Sequence, residues 1–308
     1  MQGFSERNDV FHDPAVFAAE RARLYEEGWF FAGTRDALPL RYPVGEQAYR
    51  VAATAGGLRA WREEAPQRSL PVEAIGPYVF VHGGRPRESL RDYLGPQAAT
   101  LERLGALAGG LLFEERFPIG ANWKLVLAGG IEDYHLPAVH GRSVGRWRKD
   151  PAPPELFAGG HSSYGCPAGV GPAMRLFHGL VAGTTPVEEV FGNHLVFPNL
   201  LTIQLWGLVH VTTFLPLGPA RSERVTRIYE HDPPRGLSLR RLRGPLVWTM
   251  RRGMGVTFAE DRWIVEEAQA GTRISQHFRR GPTHSEEARV GHFLGELERR
   301  LGTNSPTR

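Results

Sequence analysis

Residues 131–140 read IEDYHLPAVH and bring Glu132, His135 and His140 into one short stretch. Imidazoles and carboxylates at this density are the donor types of a metal centre. The spacing is awkward. Histidines at i and i+5 stand about 140° apart around an ideal helix. The HExxH zinc pair, at i and i+4, shares a face instead. Pro137 lies between the two histidines and removes a backbone donor, so a kink there would swing both rings towards one ion. In the competing reading, one histidine satisfies a hydrogen bond in the core. Spacing alone leaves the two readings level.

A metal would need a third ligand. The chain has a single cysteine, Cys166. That excludes an intrachain disulfide and, from this chain alone, a cysteine-rich zinc site or an iron–sulfur cluster. A carboxylate is the natural choice. Two histidines and one carboxylate make the facial triad of non-haem Fe(II) oxygenases, with three positions left for water, dioxygen and substrate. The stretch FAEDRWIVEEAQAG (258–271) supplies Asp261 at what reads as the start of a long helix. Compensation of the helix dipole explains an acid there equally well.

These residues need elements to position them. DPAVFAAERARLYEE (13–27) reads as an amphipathic helix with Asp13 as N-cap and Pro14 at its first position. WFFAGT (29–34), YRVAAT (49–54) and PYVFVHG (77–83) read as strands. LRDYLGPQAATLERLGAL (90–107) is helical and broken near Gly95-Pro96. From about 118, ANWKLVLAGGIEDYHLPAVHG has a strand-like start followed by a helix carrying the histidines. HLVFPNLLTIQLWGLVHVTTFLPL (194–217) and RVTRIYEH (224–231) read as an antiparallel sheet. Helices follow over 255–273 and 286–302. The order predicts an α+β fold with helices on one face of an antiparallel sheet.

Period-two alternation through TIQLWGLVHV places Gln204, Trp206, Leu208 and His210 on one strand face, opposite Ile203, Leu205, Gly207 and Val209. The first face is a candidate substrate surface or an ordinary core or solvent face. Phe177, Phe214 and Trp248 read as plain core or as walls of an apolar cavity. The composition is globular, at 41% hydrophobic and 23% charged, with a formal net charge of +4. No apolar run is long enough to cross a membrane, and no secretory signal opens the chain, so a cytoplasmic location is the default. The basic run 235–255 reads as a solvated helix face, with an acidic protein or a membrane surface as alternative partners. Nucleic-acid binding is not expected, because the acids are interspersed and no known motif is present.

Taken together, these stretches resemble the catalytic alpha subunit of Rieske-type non-haem iron aromatic ring-hydroxylating oxygenases. ANWKLVLAGGIEDYHLPAVH is similar to that family's NWK…E-x-x-H-x4-H signature, EDRWIVEEAQAG to its ED-x-x-I-x-E-x-x-Q-x-G helix, and FPNLLTIQLWGLVHVTTFLPLGP to its FPN sheet region. The resemblance implies that His135, His140 and Asp261 bind mononuclear Fe(II), with Glu260 as the neighbouring alternative should the register slip. It puts Glu132 at the acid that bridges to a cluster in the next subunit, or else in the role of orienting a histidine. Tyr134 lies beside the ligands. Asn122, Trp123 and Lys124 fall in a fold-supporting role. The implied fold is a helix-grip (SRPBCC/Bet v 1-like) domain over 85–308, a curved antiparallel sheet around a long C-terminal helix. Before it come a helical segment (1–27) and a truncated Rieske-like β remnant (28–84).

Two departures stand out. A Rieske cluster needs two cysteines and two histidines, and YRVAATAGGLRAWREEAPQRSLPVEAIGPYVFVHGG carries no such set, so no [2Fe–2S] cluster is expected in this chain. Electrons would then come from a separate Rieske or ferredoxin partner, as in the similar cluster-less N-demethylase subunits. The family's Glu-Asn pair after NWK is Leu127-Ala128 here, and Gly129-Gly130 predicts a flexible segment. The leading expectation is an oxygenase that hydroxylates or dealkylates a small apolar or aromatic substrate with dioxygen. Gln204, Trp206, His210 and Phe214 are its candidate substrate contacts. The expected assembly is a homotrimer, or a hetero-oligomer with a cluster-bearing homologue. The alternatives are an iron enzyme that needs no external electrons, and a non-catalytic helix-grip module.

Overall fold

The computed structural model describes residues 8–140, 153–167, 190–205, 207–230, 237–274 and 287–302. The chain opens with α1 (Pro14–Glu20). Its N-cap Asp13 accepts from the Ala15 amide at 2.7 Å, and the helix runs on into a π turn over Arg21–Glu26. Seven strands follow: β1 (Trp29–Thr34), β2 (Leu40–Val44), β3 (Gln47–Thr54), β4 (Gly57–Arg62), β5 (Ala65–Leu70), β6 (Val72–Ile75) and β7 (Tyr78–His82). They form two small antiparallel sheets, ordered β1-β7-β6 and β2-β3-β4-β5. Next come α2 (Leu90–Leu94) and α3 (Gln97–Leu107), parted by Gly95 at φ +51° and Pro96, where the sequence predicted the break.

The remaining elements are β8 (Gly110–Ile119), α4 (Trp123–Ile131), α5 (Leu136–Val139), β9 (Glu155–Leu156), β10 (Ser162–Pro167), β11 (Val190–Val196), β12 (Leu200–Leu205), β13 (Leu208–Gly218), β14 (Arg221–Glu230), α6 (Leu237–Ile274) and α7 (Ala288–Leu301). Seven of these strands build one antiparallel sheet in the order β8-β14-β13-β12-β11-β10-β9. Directly paired residues share a face. One face therefore carries Leu201, Ile203, His210, Thr212, Phe214, Arg224, Thr226 and Phe117. On it pack α4, through Gly130 against Leu201 and Phe214, and α6, through Phe258 against Phe117. The other face carries Val196, Leu200, Val209, Val211 and Tyr229. These are buried with Trp29 and Phe31 of β1, Tyr78 and Phe80 of β7, and Leu101 and Leu104 of α3. The α+β architecture with helices on an antiparallel sheet is thus observed.

The FPN stretch joins these layers. The buried Asn199 amide accepts from the Phe31 N–H at 3.0 Å and donates to the Phe31 carbonyl at 2.8 Å, so its side chain pairs with β1 as a strand would. NWK joins the N-terminus to the layer that carries the histidines. Asn122 caps α4 by accepting from the Lys124 amide at 2.9 Å, the Trp123 indole donates to Glu20 at 2.9 Å, and the Lys124 ammonium pairs with the same buried carboxylate.

Three local expectations are corrected. ANWKLVLAGG has no strand-like start, because Asn122 caps a helix that begins at Trp123. Gly129 and Gly130 are interior residues of α4 rather than a flexible joint. A Cβ on Gly130 would stand 2.9 Å from Leu201, so the glycine permits close approach of helix and sheet. Trp248 is neither core nor cavity wall but 63% exposed on α6. Phe177 lies outside the described residues.

Candidate metal centre

The two histidines do not share a helix. α4 stops at Ile131, Glu132 is its extended C-cap, and a second, one-turn helix begins at Leu136. His135 is the N-cap of that turn and His140 its C-cap. Pro137 sits in the first turn, where its missing N–H costs nothing. The interruption over 132–134, not a kink at the proline, resolves the angular problem. The rings meet edge to face at 5.3 Å between centroids.

Asp261 comes from the interior of α6. The expected helix-start position is therefore wrong, and dipole compensation does not account for it. α6 crosses the sheet beside α4 and α5, and this carries Asp261 to the histidines. Its Oδ1 lies 2.8 Å from His140 Nε2 and 3.9 Å from His135 Nε2. One donor atom from each of the three residues falls within 4.8 Å of the others.

Each of the three is held from behind. The Glu132 carboxylate bonds His135 Nδ1, and Glu260 Oε2 lies 2.8 Å from His140 Nδ1. Arg224 donates from Nη1 to Asp261 Oδ2 at 3.0 Å. Carboxylates on both Nδ1 atoms select the tautomer that offers Nε2 inwards, the usual arrangement for a metal-binding imidazole. The bond to Asp261, with Glu260 behind it, holds the His140 pKa above its ordinary value against the effect of burial. Burial works to raise the Asp261 carboxyl, but His140 and Arg224 outweigh it and the pKa is lowered. Glu132, Glu260 and Asp261 against Arg224 leave two net negative charges, which a divalent cation neutralises. An ion bonded at about 2.1 Å holds cis donors about 3 Å apart, so the donor set, with its ligand atoms within 4.8 Å of one another, fits one first-row divalent ion once the side chains close around it.

The remaining sequence candidates divide. His210 and Phe214 lie on the sheet face that carries Arg224. Gln204 does not join them. The chain reverses between β12 and β13, with Gly207 at φ +76°, so Gln204 pairs with Val209 on the opposite face and accepts from Arg103 Nη1 at 2.7 Å. Alternation cannot be carried through a hairpin turn, and that is why the predicted shared face fails. Trp206 lies outside the described residues. Tyr134 is 46% exposed and donates to Glu287 at 2.9 Å. Sequence reasoning missed Arg224. Its one available signal was alternation in RVTRIYEH, which places an arginine on the same face as Thr226 and Ile228.

Several solved structures share this fold. The quaternary ammonium Rieske monooxygenase CntA, in complex with an inhibitor, superposes with a TM-score of 0.74 at 14% identity over 96% of this chain and 95% of its own. Naphthalene 1,2-dioxygenase from Rhodococcus sp., bound to indole, gives 0.69 at 17% identity over 97% and 94%. A naphthalene 1,2-dioxygenase F352V mutant bound to phenanthrene gives 0.68 at 16% over 98% of each chain. At these identities the likeness establishes the fold. No curated protein matches the sequence. Residues 112–303, which contain all three candidate ligands, match the family described as ring hydroxylating alpha subunit (catalytic domain), and the chain belongs to that family of non-haem iron oxidoreductases.

Proposed function

We propose that the chain is a mononuclear Fe(II) oxygenase that hydroxylates or oxidatively dealkylates a small apolar or aromatic substrate. The observation that carries this reading is the His135–His140–Asp261 cluster, with each imidazole backed by a carboxylate. Ferrous iron bound there supplies the redox centre for dioxygen chemistry. The chain's own residues do the rest. Glu132 and Glu260 fix the two imidazoles in the ligating tautomer. Leu201 and Phe214, buried in the core on the sheet face that carries Arg224, and the partly buried Ile203 beside them keep the surroundings of the site apolar, which favours an apolar substrate.

One cysteine in 308 residues supports an external electron source, a separate Rieske or ferredoxin-type protein. Glu132 is the proposed contact for the incoming electron, because both of its carboxylate oxygens engage His135, Oε1 at Nδ1 and Oε2 accepting from the amide at 3.3 Å. The structure of a quaternary ammonium Rieske monooxygenase of this fold gives insight into inter-subunit electron transfer in that protein, which favours an oligomer here, either a homotrimer or a pairing with a cluster-bearing homologue. In this reading residues 28–84 are a Rieske-like β unit without cluster ligands, 1–27 a helical lead-in and 85–308 the catalytic domain.

The test is iron content and the nitric oxide EPR signal of anaerobically purified protein, wild type against His135→Ala. One iron per chain, lost in the variant, is the expected result. No iron in the wild type, even after Fe(II) reconstitution, would sink the proposal.

A further inference from the structure

We propose that Arg224 holds Asp261 as a one-oxygen ligand, so that Oδ1 alone is offered to the metal. The inference rests on the iron reading above and deepens it. The carboxylate is already divided. Oδ1 faces both imidazoles, while Oδ2 accepts from Arg224 Nη1 at 3.0 Å.

The guanidinium has little freedom to let go. It projects from β14, opposite Phe214 and Phe117 on the flanking strands. Phe258, one turn before Asp261 on α6, lies under it with 3.9 Å from Cζ to the ring centroid, and Phe117 lies at 5.8 Å. The two rings meet edge to face at 5.4 Å. Helix α6 thus grips one guanidinium twice, by its face through Phe258 and by its edge through Asp261. This fixes the height and rotation of α6 against the sheet at the ligand itself.

Stability does not explain the arrangement. Nε and Nη2 of Arg224 are buried and have no hydrogen-bond partner among the described residues. A buried cation with unmet donors is costly, and an apolar residue would serve a purely structural role better. What the arginine does provide is a fixed carboxylate. With His135 and His140 as the other ligands, an aspartate holding an ion through one oxygen would leave one more position for dioxygen or substrate than an aspartate holding it through two. Lysine is no equivalent, because a point-charge ammonium on a flexible stem lacks the planar fork that stacks and donates together.

The test compares wild type with Arg224→Met, Arg224→Lys and Phe258→Leu, reconstituted with Fe(II) without oxygen and checked for fold by circular dichroism. Affinity for Fe(II) and the line shape of the nitric oxide EPR signal are read. Arg224→Met frees the second Asp261 oxygen and removes the facing positive charge, so it should shift Fe(II) affinity by about 10-fold or more and change the rhombic splitting. Arg224→Lys should restore part of both, and Phe258→Leu should fall between. A folded Arg224→Met with wild-type affinity and line shape overturns the inference. Should that variant fail to fold, Phe258→Leu decides: a shifted line shape supports the clamp and an unchanged one overturns it. An iron-free wild type would refute the metal reading itself. That outcome is distinct, since failure of the clamp alone leaves iron in the wild type.

Discussion

Replacing Lys124 with methionine should unfold this protein more readily than almost any other single change of similar size. The Lys124 and Glu20 side chains are 0% and 1% exposed, and they pair 104 residues apart. Methionine fills most of the lysine's volume, so packing is largely kept. What changes is that the Glu20 carboxylate stays buried with only the Trp123 indole as donor. Breaking a buried pair from one side costs about 3–5 kcal/mol. With a urea m-value of about 3 kcal/mol/M for a chain of this size, the midpoint should fall by about 1–2 M. The double variant Glu20→Gln/Lys124→Met keeps an acceptor for Trp123 and removes both charges, and it should recover most of the loss. Because the pair is buried, added salt should change little. A midpoint shift below about 0.3 M for Lys124→Met, or a double variant as unstable as the two single effects summed, would refute the reasoning.

Acid should destabilise the fold before any carboxylate titrates. His161 is buried, accepting from the Phe197 amide and bonded to the Tyr93 carbonyl, each at 3.0 Å; burial pushes its pKa down to about 4. The unfolded ring takes up a proton below about pH 6.5 and the folded ring only below about 4. Stability is therefore full above that window and is lost as pH falls through it, by about 3 kcal/mol. His194, lowered to about 4 chiefly by burial, adds in the same direction, so two lowered rings outweigh the opposing contribution of His140, whose pKa is raised. A urea midpoint unchanged from about pH 7.5 to pH 5 would contradict this. Glu260→Gln should weaken Fe(II) binding about 10- to 100-fold while leaving the fold intact, because His140 Nδ1 loses a charged partner. Competition against a chelator measures it, and an unchanged constant would remove Glu260 from the site.

Local rules carried much of the fold. Asp13-Pro14 marks the start of α1, Gly95-Pro96 the break between α2 and α3, and apolar β-rich runs the strands, because each is decided by a few neighbouring residues. The proximity of His135 and His140 was legible, but the manner of it was not. Pro137 was the visible helix breaker, whereas the actual interruption falls at Glu132–Tyr134, where no proline or glycine marks it. Gln204 was misplaced because nothing within either strand announces the reversal near Gly207. Arg224 stayed hidden because its meaning depends on Asp261, a partner 37 residues away on another element. A sequence shows neighbours along the chain, and this site is made by neighbours across a sheet.

The separation between donors also bears on how the protein matures. His135 and His140 are held by a single helical turn, but Asp261 lies 121 residues beyond His140. It arrives only once the seven-stranded sheet has paired and α6 has crossed it. Contacts of such long range form late, because the intervening chain must first be ordered. An ion gripped by all three residues therefore rewards the completed domain and does little for its fragments. At free ion one hundredfold above its dissociation constant, that reward is about 2.7 kcal/mol. Metal supply during synthesis would then govern how much folded protein accumulates, before any substrate is met.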